Sequence, residues 1–139
     1  MRTIIIFLFS LFQIIACCPV IEDESMCDDK VIIDKNLFDS APNSSLNITK
    51  IEIIGDCLSI DFNASGCNGN SWKVKLIDSE AILKSNPPQR NLRLSLENNE
   101  LCEAIIHKKI SFDISKLRLT GSEVILNIVN SEHQIKYIY

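Results

Sequence analysis

The sequence predicts an all-β protein, built as an antiparallel β-sandwich of seven or eight strands. From Leu46 onward, apolar and polar residues alternate with a period of two, which is typical of strands that bury one face. Residues that favour turns, mainly Gly, Asn, Pro and Ser, interrupt these runs at short intervals. An immunoglobulin-like arrangement is one form that such strands take, and a small barrel is the alternative.

The N-terminus, residues 1–16, is predicted to be a signal peptide that ends in a lipobox. Arg2 gives a short positive start, and the apolar run at residues 3–15 is too short to span a bilayer comfortably. Ala16 is the small residue that precedes the cysteine in a lipobox, so Cys17 is the predicted acceptor of palmitate and the membrane anchor. Ordinary cleavage near Ala16, which leaves Cys17 as a plain thiol, is the alternative.

Residues 17–30 are predicted to form an acidic tether. Residues 18–30 carry five acidic side chains and one basic one, which gives a charge of −4, and such a composition favours a solvated chain. A sorting signal for surface export is a second interpretation of the acids. The β-sandwich domain is therefore expected to cover residues 31–139.

Within the domain, we expect the chain to fold around a hairpin at residues 55–72. Residues 31–33 are predicted as a short edge strand, and residues 78–84 as an irregular crossover. The alternating runs that predict the remaining strands are residues 48–54, 58–63, 72–77, 92–97, 104–106, 110–114, 124–129 and 135–139.

Six cysteines allow disulfides if the domain lies in the cell envelope. Three of them lie in the domain, so at least one is unpaired or pairs with the tether. We favour a Cys67–Cys102 bond because both residues stand at strand ends beside turns, and Cys57 with either partner is the alternative. The two tether cysteines, Cys18 and Cys27, are expected to matter little for stability.

Several classes of function find no support in the residues. A net charge of −4 without a basic stripe argues against nucleic acid as a partner. No phosphate loop or nucleophile elbow occurs, so we predict no catalytic residues and no cofactor. His107 is interpreted as an exposed strand residue and His133 as a turn residue, so neither is predicted to have a catalytic role. The cysteines lack the close spacing of zinc ligands, so no metal site is predicted.

Four stretches resemble a family of small, uncharacterised lipoproteins from flavobacteria and their relatives. The resemblance covers most of the chain after Lys30 and depends on glycine turns, cysteines and strand residues. It implies a secreted, lipid-anchored β-sandwich and carries no assigned activity. The stretches are residues 55–58, 64–72, 98–102 and 111–114.

The predicted function is that of a lipid-anchored module of the cell envelope that binds a protein or a glycan. Its expected location is the outer membrane, on the periplasmic or the surface side. The alternative is a secreted inhibitor or a small hydrolase. An inhibitor needs a rigid exposed loop, and two adjacent prolines favour one here. The residues of that candidate loop are Asn86, Pro87, Pro88 and Gln89.

Overall fold

The computed structural model describes residues 26–139, which form two β-sheets packed face to face. The predicted signal peptide, the lipobox and Cys17 lie outside the described residues. The elements in chain order are β1 (Asp29–Lys30), β2 (Ile32–Ile33), α1 (Lys35–Ser40), β3 (Asn47–Ile54), β4 (Cys57–Gly66), β5 (Lys73–Leu83), β6 (Gln89–Glu97), β7 (Ala104–Asp113), a 3₁₀ turn (Ser115–Leu117), β8 (Glu123–Ile128) and β9 (Gln134–Ile138).

The all-β sandwich is confirmed, but its sheets are mixed rather than purely antiparallel. One sheet has the strand order β1-β7-β4-β3, and the other has the order β2-β5-β6-β8-β9. Three neighbouring pairs run parallel: β1 with β7, β2 with β5, and β6 with β8. This order differs from that of an immunoglobulin domain. The described residues contain nine strands rather than seven or eight, because β1 and β2 are two-residue strands, one on each sheet.

The core lies between the sheets and follows the alternation seen in the sequence. Every second residue of β4, β6 and β8 points inward and is almost fully buried, which is what a period of two produces. Phe112 and Tyr137 are the largest buried side chains of β7 and β9. The inward residues of the three strands are Leu58, Ile60, Phe62, Leu92, Leu94, Leu96, Val124, Leu126 and Ile128.

The predicted crossover at residues 78–84 is wrong, because β5 continues to Leu83 through an irregularity in its pairing. Glu80 takes a positive φ of 65° there, and its N–H donates to Asp78 at 2.7 Å. Asp78 is fully buried and pairs with Arg90 at 2.7 Å. Burial raises the pKa of Asp78, although Arg90 opposes that shift. Asp78, the first polar residue of the predicted crossover, therefore forms an internal ion pair with Arg90.

The predicted boundary at residue 31 lies too far along the chain. Asp29 and Lys30 pair with Phe112 and Asp113 of β7, and Cys27 forms a disulfide with Cys57. The domain therefore includes residues 27–30, and the expectation that Cys27 matters little is wrong. Short-range composition predicted a solvated chain here, whereas one long-range covalent bond and a two-residue strand attach it to the sheet.

The outer faces of the two sheets differ in how far they are covered by other elements. Helix α1 packs on β5, and Arg93 of β6 donates to the carbonyl of Ala41 at 2.8 Å and lies over the ring of Phe38. The outer face of the five-stranded sheet is thus partly covered, while no helix covers the outer face of the four-stranded sheet within the described residues. Residues 26–139 include no helix with the length and hydropathy needed to cross a membrane.

Candidate functional site

A cavity of about 1050 Å³ opens at one end of the outer face of the four-stranded sheet. This outer cavity lies between the β3–β4 turn, the C-terminal half of β7, the segment at residues 26–28 and the 3₁₀ turn. Its volume is at the upper end of the range that ligand sites occupy. The side chains that line the cavity come from segments far apart in the sequence.

The segment at residues 26–28 forms one wall and is held at two points. Cys27 is bonded to Cys57, with their Cα atoms 5.5 Å apart. Asp28 accepts hydrogen bonds from the N–H of Ser111 at 2.8 Å and from its hydroxyl at 2.7 Å. The hydroxyl and the N–H of Ser111 lower the pKa of Asp28, so its carboxylate stays ionised and keeps the wall attached.

A second wall is formed by Asp56 and Arg118, which the buried Tyr137 holds in place from behind. Nη2 of Arg118 donates to both carboxylate oxygens of Asp56, at 2.6 and 2.7 Å, and its Nε donates to the hydroxyl of Tyr137 at 2.9 Å. The hydroxyl of Tyr137 donates in turn to Asp56. Gly55, at a φ of 59°, makes the turn that presents Asp56 to this group.

The charges of this group are mutually stabilised. Hydrogen bonds from Tyr137 and Arg118 lower the pKa of Asp56, and the hydrogen bonds of Arg118 to Tyr137 and Asp56 raise the pKa of Arg118. Burial, followed by the bond to Asp56, raises the pKa of Tyr137 to about 12. The planar end of Arg118 also lies 5.4 Å from the ring centre of Tyr139. Arg118 is therefore a fixed cation on the rim of the cavity.

Two lining groups lack partners among the described residues. Ser59 of β4 is 7% exposed, and its hydroxyl makes no hydrogen bond within residues 26–139. Lys109 of β7 is exposed and forms no ion pair with another described residue. A buried polar group without a partner costs free energy. The cavity thus offers one hydroxyl and one ammonium group to a ligand.

The opposite end of β4 carries a second disulfide and a carboxylate, Glu100, whose oxygens accept hydrogen bonds from the chain's own loop. Cys67 and Cys102 are bonded, as favoured from the sequence, with their Cα atoms 4.8 Å apart. Glu100 accepts hydrogen bonds from the N–H groups of Cys67, Asn68 and Gly69 at 2.6, 3.1 and 3.0 Å. Its other oxygen accepts from the hydroxyl of Ser71 at 2.9 Å.

These donors set the protonation state of Glu100. Desolvation opposes ionisation, but the Gly69 N–H, the Ser71 hydroxyl and the other two N–H groups outweigh it and lower the pKa of Glu100 to about 2. Glu100 therefore fills an anion-binding loop of its own chain. No such internal group occupies the outer cavity within the described residues.

The described residues that the sequence predicted as sites lie outside the outer cavity. The loop with Asn86, Pro87 and Pro88 connects β5 to β6, and Gln89 already belongs to β6. None of these four lines the outer cavity, and neither Cys67 nor Cys102 does. His107 and His133 do not line it either.

The sequence reasoning missed the group around Arg118. Arg118 lies 62 positions from Asp56, and Tyr137 lies 81 positions from it, so no local spacing connects the three. The nearest signal was the Gly55-Asp56 turn, which marks an acidic residue on a fixed turn but gives no indication of its partners.

No protein-family model and no curated protein matches the chain. Among solved structures, a NigD-like immunity protein from Bacteroides caccae is 11% identical, with a TM-score of 0.58; the match covers 78% of this chain and 58% of that one. A protein of unknown function, DUF1344, from Bacteroides vulgatus is 24% identical with a TM-score of 0.48, covering 80% of this chain and 56% of that one.

This chain spans less than two-thirds of the length of either neighbour. At 11% identity the likeness to the NigD-like protein shows the fold alone.

Proposed function

We propose that the protein is a lipid-anchored binding module of the cell envelope that receives a partner protein at the outer cavity. The observation that carries the proposal is the cavity itself, with an unpartnered buried hydroxyl at Ser59 and an unpaired cation at Lys109 within the described part of the chain. The two disulfides indicate an extracytoplasmic domain, because such bonds persist in oxidising compartments.

The rim of the cavity favours a protein over a glycan as partner. Met26 is 99% exposed and Ile54 is 66% exposed, and both line the cavity beside Arg118. Methionine and arginine are enriched at protein interfaces, and clustered exposed apolar side chains mark interaction sites. A fixed arginine surrounded by exposed apolar side chains is suited to a mixed polar and apolar protein surface.

The membrane anchor is proposed at Cys17, which precedes the described residues. The short acidic stretch between Cys17 and residue 27 would then hold the cavity close to the membrane that carries the lipid. Labelling cells with an alkyne-modified fatty acid should mark the wild type and leave Cys17→Ala unmarked.

An inhibitor that acts through the β5–β6 loop is the second candidate. The hydroxyl of Ser85 donates to the carbonyl of Pro87 at 2.6 Å, which fixes the loop from within. One of the two structural neighbours is described as a NigD-like immunity protein, and neutralising a partner is a function that a binding module can perform. The two candidates differ in the surface that the partner contacts.

Site-specific photocrosslinking in cells separates the candidates. A photoreactive amino acid is placed at Ile54 on the rim, at Lys84 in the loop, or at Glu132 in the exposed β8–β9 turn as a control. We expect a crosslinked partner at Ile54 alone, and Arg118→Gln should weaken this crosslink. The melting temperature of that variant should stay nearly constant, because Arg118 is about half exposed and solvent screens its ion pair with Asp56. Crosslinks at Lys84 alone would replace this function with the inhibitor, and crosslinks at none of the positions would remove both.

A further inference from the structure

Strand β7 leaves most of its outer edge without a neighbouring strand. Its other edge pairs with β4 along its whole length, whereas β1 covers only Phe112 and Asp113. Backbone groups alternate in direction along a strand. The N–H of Ser111 points outward to Asp28, so the backbone groups of Ile105, His107 and Lys109 point outward too. None of these groups has a partner within residues 26–139.

A small pocket of about 270 Å³ lies directly beneath this open edge, which we define as residues 104–110. Its apolar lining comes from Phe62, Trp72, Val74 and Ile110, and Lys108 stands at its side. The indole Nε1 of Trp72 is buried and has no hydrogen-bond partner in the described part of the chain. The apolar lining lets this edge pocket accept an apolar side chain.

Residues 26–28 do not continue β1 along this edge. The bond from Cys27 to Cys57 draws Cys27 across the outer face toward β4, since Cys57 is the register partner of Asp113. Met26 accordingly lines the outer cavity rather than the edge pocket. The register of β1 with β7 therefore ends at Asp29, and residues 26–28 leave the edge above it uncovered.

The charges on the open edge select the partner. Lys108 and Lys109 follow His107 directly, and the backbone groups of His107 and Lys109 face the open side. A second copy of the chain that paired through its own β7 would set these cations against each other, which is unfavourable between neighbouring strands. An acidic strand would meet them with opposite charge.

We propose that an extended, acidic segment of the partner protein adds to the open edge of β7 as a further strand. Its acidic side chains lie against His107 and Lys109 on the outer face, and an alternate apolar side chain enters the edge pocket beside Trp72. The inference rests on the proposed function, because it names the part of the partner that this binding module holds. The open edge adjoins the outer cavity, since Lys109 and Asp28 line both.

A short synthetic peptide in which glutamates alternate with valine and phenylalanine is the probe, and the same peptide with lysines for glutamates is its control. Hydrogen exchange measured by NMR should show fast amides at Ile105, His107 and Lys109 and slow ones at Ile106, Lys108 and Ile110. The acidic peptide should slow the first three. Trp72 is the only tryptophan of the chain, so its fluorescence should change as the edge pocket fills.

The matched variants are His107→Pro and His107→Ala. The N–H of His107 points away from β4, so proline removes an outward donor and leaves the β4–β7 ladder intact. We expect His107→Pro to weaken binding of the acidic peptide about tenfold more than His107→Ala does, at a similar melting temperature. Equal affinities of the two variants, or a lysine peptide that binds as well as the acidic one, would overturn the proposal.

Two further outcomes would also overturn it. A concentration-dependent dimer that protects the same three amides would mean that a second copy occupies the edge. Protection of those amides in the full-length chain without peptide would mean that its own N-terminal segment does. The proposed function is tested separately: a partner that crosslinks in cells at Ile54 but not at Ile105 preserves the function and removes this inference.

Discussion

The two ends of β4 carry similar chemical groups arranged for different purposes. Cys57 begins the strand and is bonded to Cys27, while Cys67 directly follows its last residue and is bonded to Cys102. A carboxylate stands beside each disulfide, Asp56 at one end and Glu100 at the other. Glu100 is enclosed by donors from its own loop, whereas Asp56 belongs to the wall of an open cavity.

At the Gly66 end of β4, which we call the closed end, the loop that Glu100 fills leaves no room for a further ligand. A Cβ atom added to Gly66 would lie 2.6 Å from a carboxylate oxygen of Glu100, and one added to Gly69 would lie 2.6 Å from the side chain of Lys108. Gly69 also needs its positive φ of 68°. Tight packing around a filled anion loop indicates a structural role for that loop, so the binding roles fall to the outer cavity and to the open edge of β7.

The largest expected effect comes from removing the disulfide at the closed end. The variant Cys67→Ser/Cys102→Ser opens a loop with a sequence separation of 35, which the chain-entropy model values at about 3–4 kcal/mol. We expect the melting temperature to fall by about 10 °C or more, measured by calorimetry. Binding at the outer cavity should persist at temperatures where the variant is folded.

The matched variant is Cys27→Ser/Cys57→Ser, which opens a loop of separation 30 and should cost a similar free energy of unfolding, about 3–4 kcal/mol. Here we expect the crosslink at Ile54 to be lost as well, because residues 26–28 form a wall of the cavity. If both pairs of substitutions affected binding alike, the division into a closed end and an open end would be wrong.

A smaller effect is expected from Glu100→Gln, with a distinctive pH dependence. The folded-state pKa of about 2 lies below the ordinary 4.5, so Glu100 stabilises the fold fully above pH 4.5 and loses that contribution as the pH falls toward 2. The variant should melt at a lower temperature than the wild type at pH 7, and its stability should fall less between pH 4.5 and 2. Thermal melts across that range test this; parallel curves for the two proteins would contradict it.

The sequence predicted the architecture well because a strand that buries one face alternates apolar and polar residues, and this pattern is visible in a short stretch of sequence. Leu58, Ile60 and Phe62 alternate with polar residues, and that pattern alone places β4 with one face in the core. The parallel pairing of β6 with β8 has no corresponding local pattern, because it depends on which strands, far apart in the sequence, become neighbours in the sheet.

The outer cavity could not be predicted for the same reason. Asp56, Arg118 and Tyr137 lie on three separate elements, and Cys27 stands in a segment whose acidic composition indicated a solvated tether. Composition describes the average behaviour of a segment, whereas one disulfide determines where residue 27 lies. The Cys67–Cys102 pairing was accessible because both cysteines stand beside turn signals at strand ends.

The smallest expected effect concerns Asp56 and the protonation of Tyr137. Burial first, and then the bond to Asp56, raise the pKa of Tyr137 to about 12, so Asp56→Asn should lower that pKa. It should stay above the ordinary 10.0, because burial of the ring persists and is the larger cause. An NMR titration of the Tyr137 ring between pH 8 and 13 measures the shift.

Stability should change little in the same variant. The pKa of Asp56 is lowered in the fold, so its contribution is present above the ordinary 3.8 and is lost as the pH falls below it. The side chain is 40% exposed, however, and solvent screens such pairs strongly. Asp56→Asn should therefore lower the melting temperature less than Glu100→Gln does. The reverse order would mean that the group around Arg118 stabilises the fold, and that the open end is as structural as the closed one.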